Sequence, residues 1–302
     1  MEVNLSLIIA TKRWDGLDIT LNHAKRLRFN GTWELVLVDE FRNERHNLVE
    51  MWVKEHDINL IHVRPKTKKD MNGNPLPRTI VDYGNAYNTG LLYANGEIVV
   101  LIEDFIGFKP DFIQNHYDFL NKVGKEFHCL GPTYFLSYIP FEKRPDDITT
   151  LGCEGNVPRP NCSNYKGIPI TVHLGYRPAN ASTYLENYIK INGFDERYDA
   201  AGWTDEKGIA MHRCAGCDNT AEKMNQAGIF FHMEDSVPNW HMDHGPIDFP
   251  ARFVLAAPVA ESRLANAYIE LHSLATDPDF WTKFCNLPVH FNLVEERRKL
   301  RC

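Results

Sequence analysis

Apolar residues along this chain come in short unbroken runs instead of alternating with polar ones. Residues 2–10 (EVNLSLIIA) end in one such run, and residues 31–39 (GTWELVLVD) hold a second that stops on an acid. Residues 59–63 (NLIHV) form a third, and residues 97–102 (EIVVLI) a fourth, followed at once by Glu103 and Asp104. Continuous apolar runs read as strands buried on both faces, which a parallel sheet covered by helices requires. Between them the spacing predicts helices over 20–27, 48–55 and 82–94. Strands alternating with helices in this way predict an α/β fold with a mostly parallel central sheet flanked by helices. Further on, the pattern predicts helices over 112–123 and 182–191, a longer one within 205–225, and a strand over 228–233 (GIFFHM). Two terminal helices are expected over 261–276 and 293–301. Residues 129–175 hold Pro132, Pro140, Pro145, Pro158, Pro160 and Pro169, and read as irregular excursions and short strands.

At 302 residues the chain can bury roughly 75% of its unfolded surface, so its folding needs neither disulfides nor metals. Its length suits about two domains or one large α/β unit. With 43% hydrophobic and 24% charged residues it is neither a disordered chain nor a fibrous one. No apolar run reaches about 18 residues, so no transmembrane span is expected. The first strand lacks a basic flank and carries Glu2, which argues against a targeting segment and for a cytoplasmic protein. Lys and Arg number 33 against 40 Asp and Glu, a net charge of −7. That balance argues against a broad grip on a nucleic-acid backbone and leaves room for a single basic pocket that holds one diphosphate. The seven cysteines, an odd count, read as reduced thiols; Cys214 and Cys217 make a CAGC pair, but the eight residues between Cys153 and Cys162 are looser than a zinc knuckle favours.

Several common sites are missing. Residues 11–16 (TKRWDG) follow the first strand without a GxGxxG fingerprint, and the chain has no GxxxxGK[ST] or GxSxG. What remains is acids at strand ends: Asp39 and Glu40 after one strand, Glu103 and Asp104 after another. Open α/β sheets bind ligands outside the carboxyl ends of their strands, and two acid pairs at one edge suit a ribose and a divalent cation. Capping of the following turns is the bland alternative. Arg64, Lys66, Lys68 and Lys69 crowd a polar loop that could face an anion.

Three segments carry a family resemblance: LSLIIATKR with ELVLVDE, NTGLLYANGEIVVLIEDFIGFKPDFI (88–113), and INGFDERYDAAGWTDEKGIAMHR (191–213). Together they resemble a GT-A glycosyltransferase of the family 2 type, in the family's order. The resemblance implies a GT-A domain over 1–250 and a C-terminal helical extension over 251–302. It implies an inverting transfer of a sugar from a nucleotide sugar, most simply a UDP-sugar, to a hydroxyl of a glycan, lipid-linked or other acceptor. Mn2+ or Mg2+ is the implied cofactor. Thr11, Arg13, Asp39, Asn88 and Trp203 would line the donor, with Glu103 and Asp104 at the first two positions of the family's DxD motif.

Two departures stand out. Phe105 replaces the last acid of DxD and offers a hard cation no ligand atom. Tyr87 replaces the Arg that precedes the family's Asn, so a diphosphate contact would have to come from elsewhere, such as the loop around Lys66 to Lys69. The metal would then fall to Glu103, Asp104 and a downstream histidine, His241 or His244. The base that deprotonates the acceptor would be Asp205 or Glu206, and the alignment leaves both open. A nucleotidyltransferase and a non-catalytic sugar-binding module remain as alternatives, the second kept open by Phe105.

Overall fold

The computed structural model describes residues 2–13, 15–69, 72–75, 83–137, 139–151, 179–196, 202–204, 210–242 and 291–301, with only the backbone for 202–204, 210–218 and 222. The main sheet has seven strands: β1 (Leu5–Thr11), β2 (Trp33–Asp39), β3 (Leu60–Val63), β4 (Ile98–Glu103), β6 (Phe127–Leu130), β8 (Asn180–Tyr184) and β11 (Phe230–Met233). Their order is β11-β6-β8-β4-β1-β2-β3. All neighbours run parallel except at β8, which is antiparallel to both β4 and β6.

The unbroken apolar runs exist because each central strand feeds two cores. Ile8, Ala10, Val36, Val38, Val99 and Leu101 face one layer. There they meet helices α3 (Tyr83–Tyr93), α5 (Leu185–Lys190) and α6 (Ala215–Gln226) through Tyr87, Leu91, Tyr188 and Met224. Leu7, Ile9, Leu35, Leu37, Val100 and Ile102 face the opposite layer. It is built from α1 (Leu17–Ala24), α2 (Arg42–His56) and α4 (Phe112–Val123). Successive side chains on a strand point to opposite faces, so a strand covered on both sides must be apolar at every position. Helix α3 lies so close to β1 that a Cβ on Gly90 would stand 2.3 Å from Ile8 Cγ2.

A smaller sheet orders β5 (Ile106–Phe108), β12 (Asn239–Met242) and β7 (Thr133–Leu136), and β9 (Gly202–Thr204) pairs with β10 (Ala210–Cys214). Helix α7 (Leu293–Arg301) docks on α3: Arg297 donates to the carbonyls of Leu91, Leu92 and Ala94, the acceptors that the end of α3 leaves without helical partners.

One expectation is corrected. The helix expected over 182–191 begins only at Leu185, because residues 180–184 form β8. The strand NASTY has no apolar run; Asn180, Ser182 and Thr183 are buried, and their side chains bond to Val237, His116 and Phe127. The longer helix expected within 205–225 is α6, Ala215–Gln226, which follows the β9–β10 pair. Residues 152–178 and the helix expected over 261–276 lie outside the described residues. Among the described residues no helix is long and apolar enough to cross a membrane.

Candidate donor-binding edge

The registers of β1 with β2 and β4 gather the expected residues. Thr11 pairs with Asp39, and Ala10 with Glu103, so Thr11, Asp39 and Glu103 end their strands at one edge of the sheet. Just beyond them, Thr11 Oγ1 donates to Asp104 Oδ2 at 2.9 Å, and Arg13 Nη1 donates to Asp104 Oδ1 at 2.6 Å. Both carboxylate oxygens of Asp104 are engaged, and its side chain is 3% exposed against 25% for Arg13. The guanidinium therefore lies over the carboxylate. Burial alone would lower the Arg13 pKa, but the charges of Asp104 and Glu103 and the hydrogen bond with Asp104 outweigh it and hold the group above its ordinary value. Tyr83, at the start of α3, packs into the same cluster; burial and the charge of Glu103 push its phenol well up, so it stays protonated.

Phe105 has φ 59°, a left-handed conformation that is uncommon for a bulky residue. The turn sends its ring inward, to a cluster with Ile19, Leu136, Ile148, Trp240 and Met242. Gly16 makes room for it: a Cβ there would stand 2.1 Å from the ring. The guanidiniums of Arg13 and Arg144 lie 5.8 and 5.3 Å from the ring centroid. Phe105 thus takes the place of the motif's last acid both in identity and in direction. Nothing near Phe105 in sequence announces Arg144.

Asp39 is fully buried. It accepts from Arg45 Nε at 3.1 Å and again from Arg45 Nη2, from the Phe41 amide at 2.8 Å, and lies 3.1 Å from His62 Nε2. Burial would raise its pKa; the hydrogen bond with His62 and the charge of Arg45 win and hold it below the usual range. Arg45 and His62 were not expected in this role. Arg45 lies six positions beyond Asp39, inside α2, and that spacing was the available signal.

Asn88 is turned away from this cluster. Its amide donates to Phe194 O and Glu196 Oε1, both at 2.8 Å, and accepts from the Phe194 amide at 2.8 Å. Glu196 also accepts from Asn85 at 3.1 Å and from Lys66 at 2.6 Å. The asparagine helix and the basic loop therefore clamp residues 194–196 of the third resembling segment, which leads on to β9. Lys66 serves this carboxylate, and its ammonium lies 4.3 Å from the Phe291 ring centroid. Strand β12 runs antiparallel to β5, with His241 opposite Ile106 and the Met242 amide donating to Phe105 O at 3.0 Å. That places His241 on a strand heading back toward the acid pair. His244, Asp205 and Glu206 lie outside the described residues, as does the side chain of Trp203.

No protein-family profile and no curated protein sequence matches the chain. Solved structures do. S. aureus TarS residues 1–349 in complex with UDP-GlcNAc superposes with a TM-score of 0.53 at 13% identity, covering 80% of this chain and 59% of that one. The same TarS region in complex with UDP gives 0.51 at 12% identity, with 89% and 65% covered. This chain shares its fold with TarS. At such low identity the likeness concerns the fold alone, and the chain spans about six tenths of the TarS region that holds UDP-GlcNAc.

The described residues do not fit the divalent cation that the motif implies. Asp104 is covered by Arg13, position 105 is a phenyl ring turned into the core, and only Glu103 of the three motif positions keeps a half-exposed carboxylate. Among the described residues, no group of three or more His, Cys, Asp and Glu side chains could hold a metal.

Proposed function

We propose that the chain is a GT-A glycosyltransferase of the family 2 type that transfers a sugar from a nucleotide sugar, in the first instance a UDP-sugar, to an acceptor hydroxyl with inversion. One observation carries the reading: Thr11, Arg13, Asp39, Glu103 and Asp104 converge at the carboxyl edge of β1, β2 and β4, in a fold shared with a protein in complex with UDP-GlcNAc. This is the edge at which open α/β sheets take their ligands. Thr11 and the Asp39 cluster would sit against base and ribose, with Glu103 accepting from ribose hydroxyls. Trp203 would stack on a sugar face. Asn88 supports the site from behind by holding Phe194 and Glu196.

Inversion is a single in-line displacement. The acceptor hydroxyl attacks the anomeric carbon from the face opposite the diphosphate, and a carboxylate, Asp205 or Glu206, takes its proton. Both follow β9, whose approach is tethered by the Glu196 clamp. Residues 1–250 would form the catalytic domain, with 251–302 as its extension. The acceptor would be a glycan, a lipid-linked acceptor or another compound that offers a hydroxyl. Mn2+ or Mg2+ enters only if Glu103, His241 and His244 can gather one without Asp104, and no step here depends on it.

The test is a panel of nucleotide sugars assayed for hydrolysis, transfer and thermal shift. Turnover of at least one, with product of inverted anomeric configuration, is expected. Binding of a nucleotide sugar without turnover of any would favour the second reading that Phe105 keeps open, a sugar-binding module. A retained configuration would overturn the inverting mechanism.

A further inference from the structure

The disagreement between the acid motif and the residues around it points to a different source of positive charge. We infer that Arg13, held on Asp104 and Thr11, takes the place of a protein-bound divalent cation and binds the donor's diphosphate through its guanidinium. The inference rests on the donor reading above and deepens it.

Four observations converge. Arg13 Nη1 lies 2.6 Å from Asp104 Oδ1, and Thr11 takes the other oxygen, so the carboxylate's near lone pairs are already used. Asp104 is 3% exposed and Arg13 25% exposed, so a cation approaching from solvent meets the guanidinium before the carboxylate. The third motif position cannot contribute, because the left-handed turn at Phe105 buries that side chain among Ile19, Ile148 and Trp240. Lastly, Lys66, the first lysine of the basic loop, is committed to Glu196. Arg13 is thus a cation that the described structure sets at the carboxyl ends of β1 and β4, on the acid of the motif itself.

The chemistry suits the role. A guanidinium carries five N–H donors in a planar fork that matches phosphate oxygens, so one edge can stay on Asp104 while another meets the ligand. Its charge persists throughout the pH range of the protein. Asp104 becomes a positioning residue: with Thr11 it fixes the guanidinium's plane. Glu103 leaves one negative charge beside the cluster. A charge there disfavours phosphate and favours hydroxyl donors, which assigns Glu103 to the ribose.

The experiment is calorimetric titration of the full chain with UDP and with uridine, in EDTA and in Mn2+. Wild type should bind UDP with affinities in the two buffers that agree within about twofold, and bind UDP more tightly than uridine. Arg13→Ala should weaken UDP by about tenfold to a hundredfold, the loss of a charge-assisted hydrogen bond, and leave uridine nearly unchanged. A merely structural role would weaken both ligands alike. Arg13→Lys keeps the charge without the fork and should fall between. The wild-type comparison needs no variant, so misfolding of either substitution leaves the inference exposed. UDP binding at least tenfold tighter in Mn2+ than in EDTA overturns it while sparing the donor reading. Failure of UDP and every other nucleoside diphosphate to bind in either buffer sinks the donor reading itself.

Discussion

Replacing Lys66 by Met should cost more stability than any exposed lysine could, although Lys66 lies in a loop that reads as a solvated basic run. Its ammonium is 2.6 Å from Glu196 Oε1, and the two side chains are 15% and 0% exposed. Without Lys66, the fully buried carboxylate keeps the amides of Asn85 and Asn88 as donors but loses its counter-charge. Removing one member of a buried ion pair costs about 3–5 kcal/mol. The two remaining donors place the expectation at the lower end, about 3 kcal/mol. Glu196→Gln should cost less, about 1–2 kcal/mol, because Lys66 can turn its ammonium toward solvent along the Phe291 ring. The double variant should recover part of the loss, since the buried charge is then gone from both sides. Urea unfolding followed by tryptophan fluorescence measures this; with a slope of about 3 kcal/mol/M, Lys66→Met moves the midpoint by about 1 M. UDP affinity at a temperature well below unfolding should change less than about twofold, because Lys66 is committed to Glu196 and not to the diphosphate. A loss under about 0.5 kcal/mol, the range of ordinary surface substitutions, or additivity in the double variant, would refute the clamp.

Burial keeps His116 and His128 neutral, pushing each down to about 3. Above the unfolded value near 6.5 neither state takes up a proton; below it only the unfolded chain does, so stability falls as pH falls toward 3. The loss between pH 6.5 and 5.5 is roughly 2 kcal/mol for the pair, and equal urea midpoints at pH 7 and 5 would contradict it. Asp39→Asn removes the charge that Arg45 and His62 share; it should weaken UDP binding by about tenfold, and unchanged affinity in a folded variant would remove Asp39 from the donor site. Of Asp205→Asn and Glu206→Gln, one should lose about 10² to 10⁴ in turnover with UDP affinity intact; full transfer activity in both would take the base away from this segment.

The strands that frame the site were readable because they are apolar on both faces. Each of β1, β2 and β4 ends within a residue of its expected limit. Strand β8 was not readable. Its Ser and Thr are buried through hydrogen bonds with partners 56 and 66 residues away in sequence, which no local pattern can show. The same holds for the site. The acids at the strand ends were visible because position alone puts them at the edge, and Phe105 was visible as a departure. Which oxygen is covered, and by which cation, depended on Arg13 folding back across the sheet to a residue 91 positions away. The asparagine of the second segment was expected beside the donor; its amide instead faces the third segment, and the two motifs turn out to bond to each other.

A crystal structure of the full chain soaked with UDP tests the central claim most directly. The nucleotide should lie across the carboxyl ends of β1, β2 and β4, its base beside Thr11 and the Asp39 cluster and its diphosphate on the Arg13 guanidinium. UDP bound at another surface, with this edge unchanged, would contradict it.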